Sequence, residues 1–122
     1  MSTTTATSIH HSWSEIPAEA IGGLIERRYF NGERMTVARL DLKRTAGTRT
    51  HTHEAEELLC VLSGALKVTV EGDETIVRGG ELIQTRGGVP HAIEALEDTT
   101  VLAVFTPIRQ DWIEKTDTYF KR

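Results

Sequence analysis

The sequence predicts an all-β domain, a sandwich or barrel assembled from short strands. Three observations carry that prediction. Turn signals (Asn31-Gly32, Ser63-Gly64, Glu71-Gly72-Asp73, Gly79-Gly80, Gly87-Gly88) punctuate the chain, and the short segments they help bound recur at roughly 8–12 residues. Between two of them, residues 65–71 alternate cleanly, with Leu66, Val68 and Val70 on one side and Lys67, Thr69 and Glu71 on the other. No segment ahead of Pro107 has a convincing helical period. A chain of 122 residues suits one domain with one core.

Taken in order, residues 1–12 are rich in Ser and Thr and read as a flexible tail, so the ordered domain spans residues 13–122. Trp13 is expected to cap one end of the barrel. Residues 22–30 form a candidate strand closed by the Asn31-Gly32 turn. Residues 35–42 alternate, with Val37 facing one way and Ala38, Leu40 and Leu42 the other. Residues 45–50 read as a loop leading into an extended segment at 51–57. Residues 58–63 are apolar enough for burial on both faces, and Cys60 within them reads as a small buried hydrophobe. Residues 74–77 pair back on 65–71, and 81–85, 91–95 and 100–106 complete about eight to ten strands. Beyond Pro107, a short helical turn would pack Trp112, Ile113, Tyr119 and Phe120 on the barrel or on a partner subunit.

Composition excludes several classes of function. The net charge is −4 and the basic residues are scattered, which argues against nucleic-acid binding. No apolar run approaches the ~20 residues that cross a bilayer. The first 13 residues lack the basic start and apolar centre of a secretory signal, so a cytoplasmic location is expected. One cysteine permits no internal disulfide. Exposed sheet edges invite self-association, and a homodimer is expected.

The chemistry concentrates in HTHEAEELLCVLSG, residues 51–64. Side chains on an extended strand alternate with period two, so His51, His53 and Glu57 would all reach one side. A fourth ligand must come from elsewhere, and His91 in GGVPHAIE is the best candidate. Three neutral imidazoles and one carboxylate suit Fe, Mn, Co, Ni, Cu or Zn, whereas Ca and Mg prefer oxygen shells. Four protein ligands leave one or two coordination positions open for a small-molecule substrate. His10 and His11 are neighbours in a polar tail and would point opposite ways, so they read as non-ligands. Gln84, Arg39, Arg49, Arg86 and Arg109 are candidates for the mouth of the site, where an arginine could grip a carboxylate. Phe105 reads as core or as a substrate platform, and Glu94 as a surface charge at a strand end.

These motifs resemble a known family. His51, His53, Glu57 and Gly64 fit H-x-H-x3-E-x6-G, which resembles the first cupin motif. GELIQTRGGVPHAIE is similar to the second, with Gly80, Gly88 and His91 in place. Arg86 stands at a usual proline, Glu94 at a usual asparagine and Thr45 at a usual glycine. The resemblance implies a jelly-roll barrel and a divalent transition metal on His51, His53, Glu57 and His91. It also implies a metal-dependent enzyme, dioxygenase-like or isomerase-like, acting on an enol, diketone or sugar acid. The C-terminal VLAVFTPIRQDW resembles the KdgF group of small cupins, which linearise unsaturated uronates. That resemblance implies working roles for Phe105 and Arg109, with Ala103 where the group carries an aspartate. Glu57 could also act as a base. The alternatives are uronate linearisation itself, or a cupin that binds a small ligand without turning it over.

Overall fold

Strand β3 (Thr36–Leu42) and strand β9 (Thr99–Thr106) lie side by side, and both alternate strictly between buried and less buried positions. Their buried sides, including Ala38, Leu40, Val101, Ala103 and Phe105, form the floor of the core. The remaining strands are β1 (Glu19–Ile21), β2 (Ile25–Asn31), β4 (Glu56–Ser63), β5 (Ala65–Val70), β6 (Asp73–Arg78), β7 (Leu82–Thr85) and β8 (His91–Ala95). They make a six-stranded sheet, β1-β2-β3-β9-β4-β7, and a three-stranded sheet, β6-β5-β8, with every pairing antiparallel. The arrangement is the jelly-roll barrel that the turn spacing and motifs predict. The computed structural model describes residues 7–121. The predicted tail falls partly outside this range; within it, residues 7–11 are exposed.

Several expectations are corrected. Residues 19–21 form β1, a strand of three residues too short to show a period. Trp13 lies in the first helical turn, Trp13–Glu15, where it is half-buried. The geometry of this turn is set by the Ser12 hydroxyl, which accepts from the Ser14 N–H. The run 58–63 is buried on one face only. Leu59 and Val61 are buried, whereas Leu58 and Leu62 are 38% and 52% exposed and Cys60 is half-buried. β4 lies within the larger sheet, and only its inner face meets the other sheet.

The segment 51–57 is not one strand. His51 bridges to His91 in the smaller sheet, whereas Glu56 pairs with Thr106 in the larger one. Residues 52–55 carry the chain from one sheet to the other, which breaks the ladder between the two histidines and Glu57. The crossing is pinned by the Gly88 N–H, which donates to the His53 carbonyl at 2.8 Å. Neighbouring Gly87 lies so close that an added Cβ would stand 2.1 Å from the Glu54 carbonyl oxygen. Gly64, at φ +96, turns the chain where a Cβ would meet Asp98 and Thr99 at 2.5 Å. Thr45 adopts φ 77, the left-handed conformation that the glycine usual at this position would take without strain.

The C-terminal segment packs on the barrel. After the short helix α1 (Gln110–Ile113), the chain pairs Phe120 with Thr48, and the Lys121 N–H donates to the Gly47 carbonyl. Trp112 and Phe120 are buried, whereas Ile113 stays exposed. Arg27 secures this closure. Its buried guanidinium donates to Glu19 and Asp117, each at 3.1 Å, and lies 4.3 Å from the Trp112 ring centroid. Removing it leaves the Asp117 carboxylate, 5% exposed, without its cation. Arg27→Leu should therefore lower unfolding stability in urea by about 3 kcal/mol; a loss under about 1 kcal/mol would show that the pair does not hold the segment.

Candidate metal centre

His51 sits at the bridge to β8, His53 in the crossing, Glu57 on β4 and His91 at the start of β8. All four side chains meet in one buried cavity, lined also by Phe105, Arg109, Trp112, Tyr119 and Phe120. Antiparallel pairing brings this about: His51 stands opposite His91, and Phe105 on β9 stands opposite Glu57.

Each histidine is oriented by a backbone carbonyl two residues away. Nδ1 of His51 donates to the Arg49 oxygen at 2.9 Å. Nδ1 of His53 and of His91 donate to the Ala55 and Val89 oxygens, both at 2.8 Å. A carbonyl can only accept, so Nδ1 carries the hydrogen and Nε2 is left with a lone pair in the neutral ring. The three histidine donor atoms lie within 4.8 Å of one another. His53 Nε2 is 3.1 Å from His91 Nε2, and Glu57 Oε1 is 3.4 Å and 3.3 Å from these two nitrogens. Two donors bound to one ion at about 2.1 Å, at roughly 90–110°, stand about 3.0–3.4 Å apart. The edges among His53, His91 and Glu57 have the lengths a shared transition-metal ion would give, and a donor atom of His51 lies within 4.8 Å of the other two histidine donors, whereas Glu57 falls outside that compact group of three. The three histidines would hold the ion, with Glu57 as the fourth candidate.

Electrostatics support this. Burial opposes the charge on Glu57, but the His53 and His91 rings against it outweigh burial and hold the carboxyl down at about 2. Burial likewise pushes His51 down to about 4. For His91 burial acts downward too, but its hydrogen bond to Glu57 wins and raises it above its ordinary 6.5.

Arg109 is buried at the cavity wall. Its guanidinium donates twice to Asp111, at 3.0 Å and 2.8 Å, and also to the Tyr119 hydroxyl, and it lies 4.6 Å from the Phe105 ring centroid. Phe105 is both core and site wall, 2% exposed and edge-on to His53. The other predicted mouth residues lie elsewhere. Gln84 is exposed and bonded to Glu56, Arg86 is exposed, and Arg49 donates to the Thr118 carbonyl. Arg39 pairs with Asp41 on the outer face of the larger sheet. Their strand parity or loop position turns them away from the core. Glu94 pairs with Lys67 on the surface, as its position suggests. The sequence offered no sign that Trp112 and Tyr119 line the metal cavity, since they arrive from the C-terminal segment.

The model of the cupin domain family matches residues 38–107, which is 70 of the 122 residues. The chain belongs to the cupin family. Among solved structures, this cupin is similar to KdgF from a Halomonas species, with a TM-score of 0.75 and 24% identity over 81% of this chain and 94% of that one. It is similar too to an RmlC-like cupin from Shewanella frigidimarina, with a TM-score of 0.78 and 21% identity over 86% of this chain and 96% of that one. An E162A mutant of Bacillus subtilis oxalate decarboxylase matches with a TM-score of 0.74 and 24% identity over 86% of this chain, which spans 31% of that enzyme. A search of curated proteins finds no match. Among the described residues, no helix is long and apolar enough to cross a membrane.

Two pH effects follow for the metal-free cupin. The folded values of His51 and Glu57 both lie below their ordinary values, so the unfolded chain binds more protons. Their contributions to stability are complete above those ordinary values and are lost on acidification, for His51 between pH 6.5 and about 4 and for Glu57 between pH 4.5 and about 2. Urea midpoints measured against pH in a chelator should fall in both windows, and Glu57→Gln should abolish the lower fall. A Glu57→Gln profile that overlays the wild type would contradict the assignment. A metal ion bound at His91 Nε2 would compete with the proton that the hydrogen bond to Glu57 favours there. Calorimetry near neutral pH in buffers of different ionisation enthalpy should therefore record proton release, and Glu57→Gln should reduce it.

Proposed function

We propose that this cupin is a metal-dependent enzyme acting on a small oxygenated molecule, an enol, diketone or sugar acid, in a dioxygenase-like or isomerase-like reaction. The observation that carries the reading is the convergence of three carbonyl-oriented imidazoles and an ionised carboxylate inside the barrel. A structural role would not need four such groups around so small a space. A divalent ion held there would act as a Lewis acid toward a bound oxygen atom.

The residues around the ligands supply the rest. Glu57 is an ionised carboxylate sheltered from water, able to serve as ligand or as base toward an acidic C–H or O–H. Arg109 supplies fixed positive charge at the wall, and Phe105 excludes water beside His53. Ala103 is fully buried on β9 between Ala38 and Leu59, two residues before Phe105. Because it offers no acid there, we favour a reaction other than uronate linearisation, despite the similarity to KdgF. The similarity to oxalate decarboxylase adds a small carboxylic acid to the candidate substrates. A non-catalytic ligand-binding role is the second reading, and the closeness of the cavity favours it. We further propose a cytoplasmic homodimer. It would pair through the outer face of the larger sheet and its β7 edge, where Leu58, Leu62 and Leu82 stay 38%, 52% and 60% exposed.

Elemental analysis of the purified protein should find close to one transition-metal ion per chain. His53→Ala or His91→Ala should lower that content at least about tenfold. Incubation with candidate enols and uronates, in air and under argon, separates the chemistries. Oxygen uptake marks the dioxygenase and anaerobic turnover the isomerase. Metal-loaded protein that shifts its melting temperature with a ligand but never turns it over would overturn the enzyme reading. A Glu57→Gln variant that keeps metal and full activity would exclude Glu57 as base.

A further inference from the structure

The cavity beside the three Nε2 atoms is nearly filled. Its free space is about 20 Å³, little more than the ~10–15 Å³ that one water needs. Four of its lining residues, Arg109, Trp112, Tyr119 and Phe120, come from the C-terminal segment. Tyr119 stands nearest the ligands. Its ring stacks on His51 with centroids 3.8 Å apart and planes 13° from parallel. Only half-buried, it lies between the cavity and solvent. Its hydroxyl oxygen accepts from Trp112 Nε1 at 2.7 Å and from the Arg109 guanidinium. Those two donors fix the ring against His51. Arg109 is held in turn by Asp111, whose carboxylate is partly open to solvent.

We infer that Tyr119 is a specificity-determining gate: in place, it admits only a ligand about the size of one water to the metal, and an organic chelating group reaches the ion only by displacing it. The inference rests on the proposed metal site and deepens it by naming what the site discriminates, which is ligand bulk. The latch is polar and the stopper aromatic, so the two can be separated by mutation. Tyr119→Phe keeps the stacked ring and removes the acceptor that Trp112 and Arg109 hold. Tyr119→Ala removes both.

Cobalt(II) gives the test a readout other than turnover. The wild type and both variants are loaded with cobalt, then titrated with fluoride and with tropolone, a planar bidentate oxygen chelator, and the visible cobalt bands are followed. Fluoride affinity should agree among the three proteins within about threefold. Tropolone affinity should rise more than tenfold in Tyr119→Ala, a difference of about 1.4 kcal/mol or more, and by a smaller factor in Tyr119→Phe. Tropolone affinities within twofold of the wild type in the variants that take up cobalt would overturn the gate while leaving the metal site standing. Should Tyr119→Ala fail to fold, Tyr119→Phe decides, and an unchanged tropolone affinity there overturns the latch. No cobalt uptake by the wild type would remove the metal reading, and the gate with it.

Discussion

His53 Nε2 and His91 Nε2 face each other at 3.1 Å, and their Nδ1 hydrogens are both committed to backbone carbonyls. Two lone pairs so placed repel unless something positive lies between them. Glu57 adds a negative oxygen within 3.4 Å of each. The core of this barrel therefore presents a donor cluster that a cation would complete, and much of the surrounding structure serves to hold the donors in place. The jump from the smaller sheet to the larger one at residues 52–55 turns His53 inward. The approach of Gly87 to Glu54 and the hydrogen bond from Gly88 to His53 keep that jump tight. Such a cluster is costly to bury without its cation, and buried polar groups persist where their partners are complete.

A second layer comes from the chain's end. Trp112, Tyr119 and Phe120 close the barrel over the histidines, and Arg27 and Arg109 lie against their rings. Both arginines are buried and both are neutralised, Arg27 by Glu19 and Asp117 and Arg109 by Asp111. The same segment thus completes the core and limits access to the ligands. This makes stability and specificity hard to separate here, since loosening the closure to admit a larger molecule also exposes apolar surface.

Much of the fold and of the ligand set was legible in the sequence, for reasons that differ by region. β3, β5, β8 and β9 each bury one face, and their apolar positions recur with period two or are bounded by turn residues. Strand parity groups His51, His53 and Glu57, and all three line one cavity, although the ladder is broken between them and Glu57 stands outside the compact group of three histidines. Convergence comes from one chain segment touching both sheets, which is a tertiary event with no local period. In β4 every residue from 58 to 62 is apolar, which erased the alternation that would have revealed its open face. Arg39 and Arg49 looked like mouth residues because arginine suits that task, yet pairing register turned them outward. Tyr119 was invisible as a site residue for a related reason. Its neighbour His51 lies far away in sequence, and only the docking of the C-terminal segment joins them.

On the proposed reading, three imidazole nitrogens and one carboxylate oxygen bind a single ion. X-ray absorption fine structure at the edge of whichever metal co-purifies tests it most directly. The expected spectrum has a first shell of nitrogen and oxygen at about 2.0–2.2 Å, with outer-shell scattering that counts three imidazoles, falling to two in His91→Ala. A metal-free protein, or a first shell unchanged when His91 is removed, would contradict the account.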